Sequence, residues 1–262
     1  MVKTKKNIFF RSLLLIIPFV IFGYSYWIEP VWIEVSRHAV KADIKDSLTI
    51  AHLSDLHIRS LGSRESKILE ILEQEKPNAV VITGDSVAEN GNYQAVGTFL
   101  KKIRVPLGVW LVNGNWEHWR PSDEDTSIYQ SAGVHFLNNS AEQLVNDVWL
   151  VGVDDELAGQ PDLKSVYEIP KNAFRIGLFH SPSFFDESSE HFDLVLAGHT
   201  HGGQIRLPFL PPLWLPEGSG RFVSGLYRKG NSQMYVSRGL GNSIIDVRLL
   251  CRPELSIIKI SR

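Results

Sequence analysis

The sequence predicts an α/β domain built on a partly parallel sheet, and three observations carry that expectation. From Ser47 onward, short β-branched apolar runs alternate with segments at helical spacing. The early runs end in polar residues, as strands do where ligand-binding loops leave an α/β sheet. The C-terminal half is richer in strand-like runs than in helices, which adds antiparallel pairing.

The chain begins with a different kind of segment. Lys3, Lys5 and Lys6 precede Ile8–Trp27, an apolar stretch whose one charged residue is Arg11. A spanning helix needs about 20 apolar residues, so this one stands at the short limit. Tyr24, Tyr26 and Trp27 at its far end match an interfacial aromatic belt. The expectation is an N-terminal apolar helix, with residues 1–30 a single membrane anchor and residues 31–46 a connecting segment. A cleaved signal and a buried helix are the competing readings, although no clear small-x-small site follows the apolar run. The three lysines direct the rest of the chain outward across the cell membrane, while Arg37, Lys41 and Lys45 pull the other way.

Residues 47–262 read as one domain without repeats. Leu48–Leu53 is a first strand, and Ile68, Leu69, Ile71 and Leu72 give Lys67–Gln74 helical spacing. Ala79–Thr83 is a second strand, Tyr93–Ile103 an amphipathic helix and Gly108–Val112 a third strand. Val148–Val153, Arg175–Phe179, Leu194–Ala197, Gln233–Val236 and Leu255–Ile260 complete the expected strands. Lys+Arg 27 against Asp+Glu 29 leaves a net charge of −2, so no nucleic-acid-binding surface is expected. The single cysteine, Cys251, excludes an intrachain disulfide and a cysteine-rich zinc site.

Five of these runs are followed by similar chemistry. They lead into Asp55-Leu56-His57, Gly84-Asp85, Gly114-Asn115, His180 and Gly198-His199-Thr200-His201. Taken singly, an Asp-x-His or a Gly-Asp is an ordinary cap or turn, and a lone histidine is more often structural. As an ordered set after strands, these residues offer two carboxylates, an amide and four imidazoles. That mixture suits Mn, Fe or Zn, and seven donors fit a two-ion site better than one tetrahedral ion.

This ordered set resembles that of the calcineurin-like metallophosphoesterases, including Gly114-Asn115-Trp116-Glu117 where the family pattern is Gly-Asn-His-Asp/Glu. The resemblance covers about residues 47–205 and implies a four-layer αββα sandwich of two mixed β-sheets that hydrolyses phosphate esters. It implies that Asp55, His57 and His201 hold one divalent ion and that Asn115, His180 and His199 hold another. Asp85 would bridge them. Manganese is the first choice of metal, with Fe, Zn or Mg as alternatives. The water shared by two such ions deprotonates near neutral pH and attacks phosphorus. Gly202-Gly203-Gln204 after the last motif is similar to the membrane-anchored bacterial branch of the family.

One residue departs from the pattern. Trp116 stands where the family has a histidine, and an indole N–H is no general acid. His118 is the substitute at hand. Without an acid, a pyrophosphate or an activated diester is a better substrate than an alkyl monoester. Arg59, beside the first motif, is a candidate substrate contact. Leu207–Pro216, rich in proline and large apolar residues, is either a packed loop or an apolar surface beside the metals. Together with the anchor, the second alternative implies a lipid-linked phosphate. Within the resembled branch, UDP-2,3-diacylglucosamine hydrolysis in lipid A synthesis fits. That lipid is made on the cytoplasmic side, so an anchor lying in the inner leaflet would reconcile it with the lysines. Two other classes stay open on sequence alone, a non-catalytic metal-binding scaffold and a metal hydrolase of another bond.

Overall fold

Apolar residues on both faces of a strand require a packed layer on each side, and that demand organises this protein. The computed structural model describes residues 16–121 and 125–262. In β2 (Leu48–Leu53), Leu48 and Ile50 enter one core while Ala51 and Leu53 enter another. In β3 (Ala79–Thr83), Val81 joins the first core and Val80 and Ile82 the second.

The described residues form two six-stranded sheets. The first includes β1 (Glu34–Lys41), β4 (Val109–Val112), β5 (Val134–Phe136) and β12 (Glu254–Ser261), in the order β1-β12-β2-β3-β4-β5. Here β2 to β5 run parallel, and β12 is antiparallel to β2. The second sheet contains β6 (Ser140–Val145), β7 (Val148–Gly152), β8 (Phe174–Leu178), β9 (Leu194–Ala197), β10 (Gly225–Lys229) and β11 (Ser232–Val236). Its order is β10-β11-β9-β8-β7-β6, with β7, β8, β9 and β11 parallel and antiparallel pairs at both edges.

The sheets face each other across a core that includes Ile50, Val81 and Val112 from one and Leu150, Ile176 and Leu196 from the other. Helices α1 (Ser63–Glu75) and α2 (Tyr93–Leu100) cover the outer face of the first sheet through Ile68, Leu72, Val96 and Phe99. Two further helices, α3 (Asn115–Trp119) and α4 (Asp125–Ser131), follow β4 in the chain. The short helix α5 (Phe185–Ser188) joins Phe179, Phe192 and Phe222 outside the second sheet. The result is an α/β sandwich of two mixed sheets with helices outside, as the resemblance implies.

The structure differs from the sequence expectation at its N-terminal side. Residues 31–46 are no mere connector, because β1 pairs in parallel with β12 along eight residues. Its charged edge residues, Arg37 and Lys41, disguise the strand pattern. Part of the expected apolar helix, residues 1–15, lies outside the described residues. Residues 16–23 are helical and run into a π turn, Tyr24–Ile28. Among the described residues no helix is long and apolar enough to cross a membrane.

A polar tie joins the two sheets at one edge. Tyr235 on β11 donates to Glu254 on β12 at 2.5 Å, and its hydroxyl lies 3.2 Å from Ser36 on β1. Arg238 gives Glu254 both its backbone N–H and its Nε, each at 3.1 Å. Burial raises the Glu254 pKa, but Arg238 and these hydrogen bonds outweigh it and hold the carboxyl below its ordinary value of 4.5. A depressed carboxylate stabilises the fold above its unfolded pKa, and that stability is lost as the pH falls through the lower folded value. Glu254→Gln is expected to cost about 3 kcal/mol at pH 7. In urea melts the gap to wild type should shrink as the pH falls from the ordinary carboxyl value of 4.5 through the lower folded value.

Candidate metal centre

Neighbouring parallel strands end at the same edge, so the loops that follow β2, β3, β4, β8 and β9 converge although they are far apart in the chain. The first sheet contributes Asp55, His57, Asp85 and Asn115, and the second contributes His180, His199 and His201. All seven are buried. Five of them, Asp55, His57, Asp85, His199 and His201, have φ between 43° and 72°. Asp, Asn and His enter this left-handed region more readily than most side chains, and here it turns each one sharply off its strand into the shared space.

Close approach of the loops requires glycine at two points. A Cβ on Gly84 would lie 2.6 Å from Gly114 and from His180 Nδ1, and one on Gly198 would overlap the Ser54 hydroxyl. Gly84 thus packs on the Gly114 backbone within the first sheet and on the His180 ring of the second, and Gly198 of the second sheet packs on Ser54 and Asp55 of the first.

The donors fall into two groups, Asp55 with His57 and His201, and Asp85 with His180 and His199. Within each group the ligand atoms lie within 4.8 Å of one another. His180 Nδ1 donates to the Thr83 carbonyl at 2.8 Å, and His199 Nε2 donates to the Glu217 carbonyl. A carbonyl only accepts, so these bonds set the tautomers. The free lone pairs, on His180 Nε2 and His199 Nδ1, then face each other at 3.1 Å, with Asn115 Oδ1 3.0 Å from the first. In the other group His57 Nε2 and His201 Nε2 are 3.2 Å apart, and Asp55 Oδ1 is 3.4 Å from the latter. Lone pairs and carboxylates packed this closely fit bound cations. Asp85 lies between the groups, its Oδ2 3.2 Å from His180 Nε2 and 3.6 Å from His57 Nε2.

Charge follows the same layout. Burial lowers the pKa of His57, His199 and His201, which keeps their rings neutral and able to ligate. Burial acts the same way on His180, but the Asp85 carboxylate outweighs it and raises that pKa.

Three further residues brace the ligands, of which Glu117 and Gln204 were visible in the sequence only as parts of motifs. Glu117 is buried beneath the Asp85 loop and accepts the backbone N–H groups of Asp85, Ser86 and Gly114 at 2.7–3.0 Å. Burial and then the nearby Asp85 charge push its pKa up to about 7. Arg248 is fully buried and donates to the carbonyls of Arg238, Gly239, Gly241 and Cys251. It thereby holds the loop that caps Asp55, where Leu240 N–H reaches Ser54 O and Gly241 N–H reaches Asp55 O. Gln204 clips residues 243–245 to the His201 loop. Among these, Glu117 had a visible signal, its place in the third motif. Arg248 had none, because nothing local distinguishes it from a surface arginine.

The remaining candidates are placed elsewhere. His118 Nε2 lies 2.5 Å from Asp154 Oδ1, in a polar hollow with Asn139 and Gln160. Helical geometry explains this, since two positions on α3 differ by about 200° and His118 leaves the helix opposite Trp116. Trp116 itself stands at the site, its ring edge-to-face with His57 at 5.7 Å and with Trp119 at 5.8 Å. Trp110, by contrast, is buried and stacked on His135. Arg59 lies in a shallow cleft that His57 also lines, paired with Asp246 at 2.6 Å.

Known proteins agree with this geometry. Residues 48–203 match the calcineurin-like phosphoesterase family. The chain is 32% identical to the phosphodiesterase YaeI of Escherichia coli (strain K12) over 257 residues, covering 91% of this chain and 92% of that protein. It is 29% identical to the uncharacterized metallophosphoesterase YkuE of Bacillus subtilis (strain 168) over 255 residues, 90% of this chain and 88% of that one. The fold is also similar to the crystal structure of a 5'-nucleotidase precursor from Thermus thermophilus, with a TM-score of 0.50 at 12% identity, covering 75% of this chain and 50% of that longer one. Motif order, strand-end geometry and these likenesses together make the chain a member of the calcineurin-like metallophosphoesterase family.

Proposed function

We propose that this phosphoesterase cleaves a phosphodiester or pyrophosphate, with a divalent ion held by each of the two donor groups and Asp85 shared between them. Bound ions of this kind supply Lewis-acid polarisation of phosphoryl oxygens and lower the pKa of water. The observation that carries the proposal is the pair of facing imidazole contacts, 3.1 Å and 3.2 Å, with Asp85 reaching both groups. An oxygen and nitrogen donor set without thiolate favours manganese, with Fe, Zn or Mg as alternatives.

The chain's own residues do the remaining work. Asn115 Oδ1 and the rings of His180 and His199 face the Asp85 side, where the phosphoryl group is oriented. Glu117 clamps three backbone N–H groups and so keeps Asp85 in its left-handed conformation. Trp116 offers an apolar edge and no acidic proton beside His57, while His118 is engaged by Asp154. A leaving group that departs as a stable anion therefore suits the site better than an alkoxide.

We further propose attachment to the cell membrane through the N-terminal segment and a lipid-linked phosphate substrate, UDP-2,3-diacylglucosamine included. Supporting this are the exposed apolar side chains of residues 16–28, such as Phe19 and Trp27, and those of Phe209, Leu213 and Trp214. Turnover of UDP-2,3-diacylglucosamine vesicles by the full chain tests that lipid directly, and its absence would exclude it.

Asp85→Ala and His199→Ala are each expected to lower manganese-dependent hydrolysis of bis-p-nitrophenyl phosphate by at least about a thousandfold, that is about 4 kcal/mol. Bound manganese measured by elemental analysis should fall from two ions to one or fewer. Glu117→Gln replaces an acceptor oxygen with an NH2 facing N–H donors. It should reduce metal affinity and turnover about 10–100-fold while circular dichroism stays native. Wild type should prefer a p-nitrophenyl diester over glycerol phosphate, and Trp116→His should narrow that preference. Equal turnover of both substrates by wild type would contradict the role given to Trp116.

A further inference from the structure

An apolar cavity of about 270 Å³ opens beside the metal centre, and His201 belongs to both. Its other walls include Gln204, Ile205, Leu213, Trp214 and Ile244. Cavities of about 150 Å³ lined by apolar side chains already accept a benzene-sized group, so this one has room for a longer hydrocarbon.

The cavity is constructed at a conformational cost. Ile244 has φ 64°, an uncommon angle for a β-branched residue, and Ile245 N–H bonds back to Ser243 O across it. That is a γ-turn with positive φ at its centre, a rare and strained form. A second stands opposite, with Gln204 at φ 53° and ψ −44° and Ile205 N–H bonded to Gly203 O. The Gln204 side chain joins the two turns. Its Oε1 accepts from Ser243 N–H at 2.9 Å, and its Nε2 donates to Ser243 O at 3.1 Å and Ile245 O at 2.9 Å. The clamp consumes the amide's hydrogen-bonding capacity and faces Ile244, which is 73% exposed, to the lip of the cavity. Backbone strain held by a dedicated side chain at the wall of a pocket is characteristic of ligand sites.

We propose that this cavity is the subsite for a hydrocarbon chain of the substrate, carried on the phosphoryl group that the metal centre holds. It rests on the phosphoesterase reading above and gives the hydrocarbon part of the amphiphilic substrate proposed there a defined place beside His201. His201 lines the cavity and belongs to the donor group, so a chain one ester bond from phosphorus enters the cavity from the centre. The exposed rim of Leu213 and Trp214 then meets the chain where it emerges.

The test compares p-nitrophenyl methyl phosphate with p-nitrophenyl octyl phosphate on the manganese-loaded full chain. The octyl ester should show a KM at least tenfold lower at similar kcat. In Ile244→Asp and in Trp214→Ala the octyl-to-methyl ratio of kcat/KM should fall toward one, and Gln204→Ala should act in the same direction by releasing the turns. Tryptophan fluorescence titrated with decylphosphonate and with methylphosphonate reads the subsite independently of turnover, and decylphosphonate should bind at least tenfold tighter. Equal ratios for the two esters together with equal affinities for the two phosphonates would overturn the subsite and leave the metal chemistry standing. Tight decylphosphonate binding without hydrolysis of either ester would support the subsite and remove the phosphoesterase reading instead. A ratio that stays at one in wild type, with vesicle binding lost in Trp214→Ala, would assign the rim to a bilayer and overturn the proposal.

Discussion

Imidazole nitrogens held face to face, at 3.1 Å in one group and 3.2 Å in the other, are the contacts on which the rest of the site depends. Such contacts are unfavourable in a buried setting unless a cation lies between or the rings are protonated, and burial lowers the pKa of three of these four histidines. The protein holds them there through backbone carbonyls on the far side of two rings and through carboxylates between the groups. Everything around the centre serves to hold that arrangement together without the ligands themselves drifting into hydrogen-bonded pairs.

The sandwich makes this possible because each sheet supplies one side of the site. Parallel strands end in step, so loops from β2, β3 and β4 face loops from β8 and β9 at one rim. Turning a side chain off a strand end into that rim requires left-handed backbone at the ligands, a strained geometry that bracing must offset. Glu117 braces the first-sheet loops, Arg248 braces the loop over Asp55, and the absence of a side chain at Gly84 and Gly198 lets the loops pack closely. A buried carboxylate and a buried guanidinium thus act as the mortar of a site whose chemistry lies in other residues.

Next to this polar centre the surface is apolar. The strained turns at Gln204 and Ile244, the proline-rich segment after the first of them and the exposed apolar helix of residues 16–23 lie on connected stretches of chain, since Arg248 N–H reaches Ser25 O and Glu29 accepts from Leu250 N–H and Cys251 N–H. An average charge of −2 conceals this division between a polar cluster and an apolar flank. Trp116 stands at the boundary, packed against His57 where an acidic proton would otherwise be expected.

Sequence alone determined what depends on short range. The strands from Leu48 to Leu53 and from Ala79 to Thr83 were readable because apolar periodicity is local, and the seven donors were readable because each follows such a run in a fixed order. The edge strand Glu34–Lys41 was not, because its exposed charged positions carry no alternation and its partner, β12, lies more than two hundred residues away. The resemblance already implied the two donor groups with Asp85 between them, while the tertiary structure alone supplied the distances within and between those groups and turned His118 to Asp154. It also made a clamp of Arg248, an unremarkable residue in the sequence, and of Gln204, visible there only as part of a motif. Those outcomes depend on which loops the two sheets bring to one rim, and contact between residues distant in the chain leaves no periodic trace in the sequence.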